Sequence, residues 1–277
     1  MVYPSKKGQF SRGGSLYWRS ILSSTFIVAI FVTMLCSVNS VATAQGKLKP
    51  VSEEEFKNGK DVYNKYCAVC HGEEGDGHGE LAHALYPKPR DFTKGQYKIR
   101  TNATGSLPTD ADLIHVISVG IHGTSMIPWD ILELDQIKSI LPVLKSFSEA
   151  WQYREPEAPI TIGREVPSSQ QSIARGKKLY EEKECWKCHG ETGHGDGPSS
   201  YELTDEWEIP IQAYDFTRAN KFKGGATNRD IYLRFTTGMN GTPMPSFANE
   251  LSDEDRWSMV HYVKSIAEQK EEHGHKE

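Results

Sequence analysis

The pentapeptide Cys67-Ala68-Val69-Cys70-His71 is answered 118 positions later (67 to 185) by Cys185-Trp186-Lys187-Cys188-His189. Two thiols three positions apart with His directly behind form the pattern of covalent c-type haem attachment. Each sulfur adds across a haem vinyl group, and the adjoining imidazole then stands under the iron as its proximal ligand. A zinc ribbon places its second thiol pair about 15 to 20 residues after the first, and a dithiol redox couple asks for a βαβ setting. Here the pairs lie far beyond that reach, and both carry a His that neither alternative requires. The expectation is two covalently bound haem c groups, tethered by Cys67, Cys70, Cys185 and Cys188, with His71 and His189 on the irons.

These motifs belong to a longer repeat. The loops that follow, residues 71–79 and 189–197, keep all their glycines at the 118 offset, and Gly120-Ile121-His122-Gly123-Thr124-Ser125-Met126 answers Gly238-Met239-Asn240-Gly241-Thr242-Pro243-Met244 at the same spacing. Between them, Asp91-Phe92-Thr93 answers Asp215-Phe216-Thr217 at 124, so a short insertion separates the blocks. The chain reads as a tandem duplication. Ser52-Glu53-Glu54-Glu55 is a capping-box pattern, and the helix it opens carries Phe56, Gly59, Val62, Tyr63 and Tyr66 on about one face. Its counterpart starts at about Ser172, with Gly176 and Tyr180 repeating the Gly59/Tyr63 spacing. Each copy closes with a helix, about residues 134–148 with Pro142 expected to kink it, and 253–268 capped by Ser252. A Gly four residues before an aromatic lets another helix cross closely, so the first and last helices of each copy are expected to meet.

Neither copy shows strand alternation. The expected fold is mostly α, as two tandem domains at 50–152 and 171–268, each a few helices wrapped around haem. A Pro/Ser-rich linker at 153–170 joins them, and a charged, disordered tail follows at 269–277. His273 and His275 in that tail are read as having no metal role.

Residues 1–44 read as a signal peptide: Lys6, Lys7, Arg12 and Arg19, then an apolar run to Cys36, then Ala42-Thr43-Ala44. Export to a periplasm or equivalent non-cytoplasmic compartment follows, with membrane attachment only if this segment stays uncleaved. Its removal takes four basic and no acidic residues, moving the net charge from −5 to −9. An acidic surface excludes nucleic acid as a partner and suits docking on a basic patch of a redox protein, although a merely solvated surface has the same composition.

A haem held by His alone leaves iron open, whereas a second side chain closes it and sets the potential. Met126 and Met244 are the sequence's ligands for that place, each in a Gly/Thr loop near a Pro and at matching positions of the repeat. His122 and Met239 are alternatives that would make the copies ligate differently. His78, His83, His115, His194 and His261 are read as surface or core residues. The Gly-rich loops are read as tight backbone against the haem edge, since a phosphate cradle would need a preceding strand. Arg90, Arg100, Arg218 and Arg234 are the expected donors to the haem propionates.

On these residues, the chain resembles tandem di-haem members of the class I cytochrome c family. CxxCH, the Gly-rich loop and the Gly-Thr-x-Met loops at Met126 and Met244 carry the likeness across about residues 50–268. It implies the cytochrome c fold with His/Met ligation. The stretch Pro87-Lys88-Pro89-Arg90-Asp91-Phe92-Thr93, continuing to Arg100, is similar to exported di-haem cytochromes that accompany molybdenum-containing oxidoreductases such as nitrite oxidoreductase systems, and implies such a partner. The copies differ at Ile127, where the second has Pro245. The expected role is single-electron transfer, as a carrier or subunit of a respiratory oxidoreductase and without catalysis of its own. A di-haem peroxidase and a structural or assembly subunit are the alternatives.

Overall fold

A computed structural model describes residues 51–218 and 222–274, so the signal-peptide reading at 1–44 lies outside the described residues. The first copy contains α1 (Glu53–Tyr66), α2 (Ala68–His71), a 3₁₀ turn (Ala82–Ala84), α3 (Asp110–Val119), α4 (Leu134–Ser146) and α5 (Ala150–Tyr153). The second repeats the order with α6 (Gln170–Glu182), α7 (Trp186–His189), a 3₁₀ turn (Ser200–Glu202), α8 (Asn228–Thr237) and α9 (Asp253–Gly274). Among the described residues there is no strand beyond one isolated bridge, Thr204 to Pro210, so the mostly α expectation holds. No helix among them is long and apolar enough to cross a membrane.

Capping boxes set most helix starts. Ser52 and Glu55 exchange hydrogen bonds at the head of α1 as expected, and Ser169 and Ser172 do so at α6. The sixth helix therefore begins two residues before Ser172, which serves as the reciprocal partner of the cap rather than the first helical residue. The middle helices α3 and α8 were not anticipated. Both start at a Thr-x-x-Asp box, Thr109/Asp112 and Thr227/Asp230, a signal present in the sequence. Pro142 is accommodated inside α4, and Val143 and Leu144 beyond it stay buried. The tail is a further difference. Helix α9 runs on to Gly274, because Glu268-Gln269-Lys270-Glu271-Glu272 are good helix formers continuing a helix already nucleated.

Helix α1 packs on α4, and α6 on α9. The contacts are backbone-close: a Cβ at Gly59 would overlap the Ser139 carbonyl, and one at Gly176 the Ser258 carbonyl. Each copy has its own core, built around Tyr63, Leu107, Ile140 and Val143 in one and Tyr180, Tyr232, Val260 and Val263 in the other.

The copies meet through a polar junction. Arg100, with no solvent exposure, donates from Nη2 to Thr237 O (2.7 Å), and Arg234 donates back to Arg100 O (2.9 Å) and Lys98 O (3.4 Å). Arg90 pairs with Glu206 and lies over the Trp207 ring, while Tyr86 Oη donates to Pro210 O (2.6 Å). The repeat offset explains this asymmetry. Copy two gains six residues before Asp215 (offset 124 against 118) and gives them back before Thr227, so Glu206, Trp207 and Pro210 lie in the segment lengthened in copy two, and Lys98 and Arg100 in the one lengthened in copy one. The 153–170 segment is tethered rather than free: Ile160 N donates to Thr101 O (2.8 Å), and Asn228 Nδ2 to Glu165 (2.6 Å).

Candidate functional site

Each copy surrounds an open-sided, largely apolar cavity. Cys67, Cys70, His71 and Met126 all line the first, and Cys185, Cys188, His189 and Met244 all line the second. The sequence-predicted residues are thus gathered four and four.

The thiols come from a single helical turn. His71 N and His189 N each close on the carbonyl of the first Cys of the motif (both 2.9 Å), which brings both sulfurs and the imidazole to one cavity wall. Among the described residues no cysteine is in a disulfide. Burial pushes all four thiols up, Cys67 to about 12 and Cys185 to about 11, so they stand as neutral groups in an apolar wall rather than as metal-ready thiolates.

The imidazoles are oriented in the same way. His71 Nδ1 donates to Arg90 O and His189 Nδ1 to Tyr214 O, both 3.0 Å, which leaves Nε2 with the free lone pair in each. A ligand histidine needs this arrangement, its second nitrogen held by a carbonyl. Burial lowers both imidazole pKa values, favouring the neutral, coordinating form. Sequence reasoning missed what stands behind the rings. Phe92 stacks on His71 (4.6 Å between centroids, 24°), and Phe216 on His189 (4.2 Å, 17°). The repeated Asp-Phe-Thr was its signal: Asp91 and Asp215 cap the Thr93 and Thr217 amides (2.8 and 2.9 Å) and hold each Phe in place.

The Gly-rich loops do a different job from the one expected. Their glycines line neither cavity. Gly77 N donates to His71 O (2.9 Å), Gly195 N to His189 O (2.8 Å), and Gly75 O and Gly193 O accept from the amides of Phe92 and Phe216 (2.7 and 2.6 Å). A Cβ at Gly79 or Gly197 would overlap the carbonyls of the CxxCH turn. The loops fold back on the attachment helix because only a chain without side chains can come that close. Tyr63 and Tyr180 tie the loops down by donating to Gly72 O (2.7 Å) and Gly190 O (2.6 Å).

The two Met loops share one geometry despite the Ile127/Pro245 difference. Thr124 Oγ1 donates to Ile121 O (2.7 Å) and Thr242 Oγ1 to Met239 O (2.8 Å), and each hydroxyl accepts from the Met amide. His122 is exposed and lines neither cavity, whereas Met239 lines the second beside Met244. His78, His83, His115 and His194 are exposed, and His261 is buried outside both cavities.

The arginines divide. Arg90 lines the first cavity but is paired with Glu206, and Arg100 and Arg234 are spent on carbonyls across the junction. Arg218 is mostly exposed against Asp215 (3.2 Å). Arg100, Arg218 and Arg234 line neither cavity, so the expectation that they would reach propionates is corrected. Lysines that sequence reasoning passed over line them instead: Lys98 both, Lys88 the first, and Lys183, Lys187 and Lys223 the second. Of these, Lys88 is bonded to the Ala82 and His83 carbonyls, Lys183 to Glu250 and Lys187 to Glu184.

Donor chemistry, neutral thiols and apolar walls fit a covalently tethered haem in each cavity. The family model described as Cytochrome c matches residues 56–147 and 173–267. Among solved structures, the chain is similar to one from the Kuenenia stuttgartiensis reducing HAO-like protein complex Kustc0457/Kustc0458. Identity is 57% and the TM-score 0.75, over 79% of this chain and 98% of that one.

Proposed function

The chain belongs to the cytochrome c family, with two cytochrome c domains that imply covalently bound haem c, and we propose that it is an exported di-haem electron-transfer subunit of an oxidoreductase complex. One observation carries this reading: in both copies the two thiols, the anchored imidazole and the Met loop border the same cavity. Haem supplies reversible one-electron chemistry when bound, its potential set by ligands and burial. Cys67, Cys70, Cys185 and Cys188 tether it, and His71 and His189 present Nε2 to the iron. Met126 and Met244 present a thioether from the loops that Thr124 and Thr242 brace. Apolar walls such as Leu113, Ile117 and Phe235 exclude water. The domains are assigned to 50–152 and 171–268, and export to residues 1–44.

A Met loop of the same geometry in both copies favours two closed sites over the peroxidase reading. For the partner, the likeness to a chain of an HAO-like complex favours an oxidoreductase of that kind. The stretch 87–100, from which a molybdenum-containing oxidoreductase was expected, is engaged inside the chain: Arg90 and Arg100 bond across the copy junction. It therefore speaks less for a partner than for how the two copies join.

The test is the optical spectrum of the matured protein, oxidised and reduced, with and without carbon monoxide. Two thioether-linked haems with the weak far-red iron–sulfur band and no carbon monoxide shift are expected. Met126→Ala and Met244→Ala should each open half of the haem to carbon monoxide. A wild-type protein that binds carbon monoxide at one haem would overturn the closed-site reading, and an inert Met244→Ala would transfer the ligand role to Met239.

A further inference from the structure

Two residues line both cavities, Pro87 and Lys98. They stand where the two sites adjoin, and of the pair only Lys98 bears charge. Its position is fixed by the junction: its carbonyl accepts from Arg234 Nη1 (3.4 Å), and its neighbours Tyr97, Ile99 and Arg100 are all buried. The neighbouring arginines already have partners. Arg90 is paired with Glu206, Arg100 donates to three carbonyls and Arg234 to two. The Lys98 ammonium makes no hydrogen bond or ion pair to another described residue.

The ammonium is partly buried in the wall that borders both cavities and has gained no fixed counter-ion there. Burial, with Arg90 next, lowers its pKa to about 8, while Glu206 acts in the opposite direction. Such a cation is completed by an anion presented from the cavity side. A haem tethered at the CxxCH turn carries two carboxylates, the only anions that the cofactor brings. Resting on the reading of both cavities as haem sites, we propose that Lys98 binds a haem propionate in the wall the two sites share and holds up the reduction potential of both haems. The sign follows from charge. Reduction adds an electron, so a nearby cation stabilises the reduced form, and the effect is large where water is excluded. Lys223 lines only the second cavity and serves as the internal comparison.

The experiment is redox titration of the full matured chain, after absorbance has established two haems per polypeptide. Lys98→Met should lower both midpoint potentials, Lys98→Arg should restore them, and Lys223→Met should lower one alone. Lys98→Gln, neutral and of similar length, takes the place of the Met variant if that one does not mature. If Lys98→Met moves one potential or neither while two haems with closed spectra are retained, the proposal is overturned and the electron-transfer reading survives. A wild-type chain without two haems overturns both together.

Discussion

His261 is buried on α9, its Nδ1 paired with Ser172 Oγ (2.8 Å) and its Nε2 without a hydrogen-bond partner. Protonation would put a charge into a buried site, and burial accordingly lowers the His261 pKa, although the Val166 backbone and Glu165 act the other way. The unfolded chain takes this proton at about 6.5 and the folded chain resists it until lower pH. Stability from this group is therefore fully present above about 6.5 and is lost as pH falls through that value towards the folded pKa. The urea midpoint of the matured protein should fall between about pH 7 and pH 5.5, and His261→Gln should flatten part of that slope. An identical slope in the variant would assign the pH dependence elsewhere. Tyr63 and Tyr180 show the same logic without titration: each spends its hydroxyl on the carbonyl of the glycine that follows His71 or His189.

At the scale of elements, the crossings of α1 with α4 and α6 with α9 place two backbones where no Cβ fits. Gly59→Ala and Gly176→Ala force a methyl against a carbonyl that belongs to a helix and cannot swing aside. Overpacking of this kind costs about 1–3 kcal/mol, and each substitution should lower the thermal midpoint measurably. Equal melting of Gly59→Ala and wild type would mean that the helices separate more easily than their packing implies. The same crossings bring the loop-anchoring tyrosines under the attachment turns, so loss of packing should also show as weaker retention of ligand geometry in the optical spectrum.

For the whole molecule, the Arg100/Arg234 exchange is the junction's buried polar centre. Each guanidinium satisfies carbonyls of the other copy, and burial lowers both pKa values to about 10, leaving them charged at neutral pH. Each copy nevertheless has its own core. Replacing both arginines by Leu should turn one calorimetric unfolding transition into two, because the coupling is lost while the cores remain. A single transition in the double variant would locate the coupling in the Arg90–Glu206 contact and the 153–170 strap instead.

The duplication, the mostly α class, the family and the Gly-mediated meeting of first and last helices were all legible in the sequence, because each rests on spacing within a short stretch. The gathering of Cys67, Cys70 and His71 on one wall likewise follows from a single turn of helix. The middle helices were written in Thr-x-x-Asp boxes but hidden by their brevity, and Phe92 and Phe216 were visible only as a repeat. Tertiary structure alone decided where the cations went. Arg100 and Arg234 meet carbonyls 134 to 137 positions away, while Lys98 was left facing both cavities. Short-range patterns dictate helices and attachment turns. Whether a basic side chain meets a cofactor or a distant carbonyl depends on how the two copies pack, which local spacing does not encode.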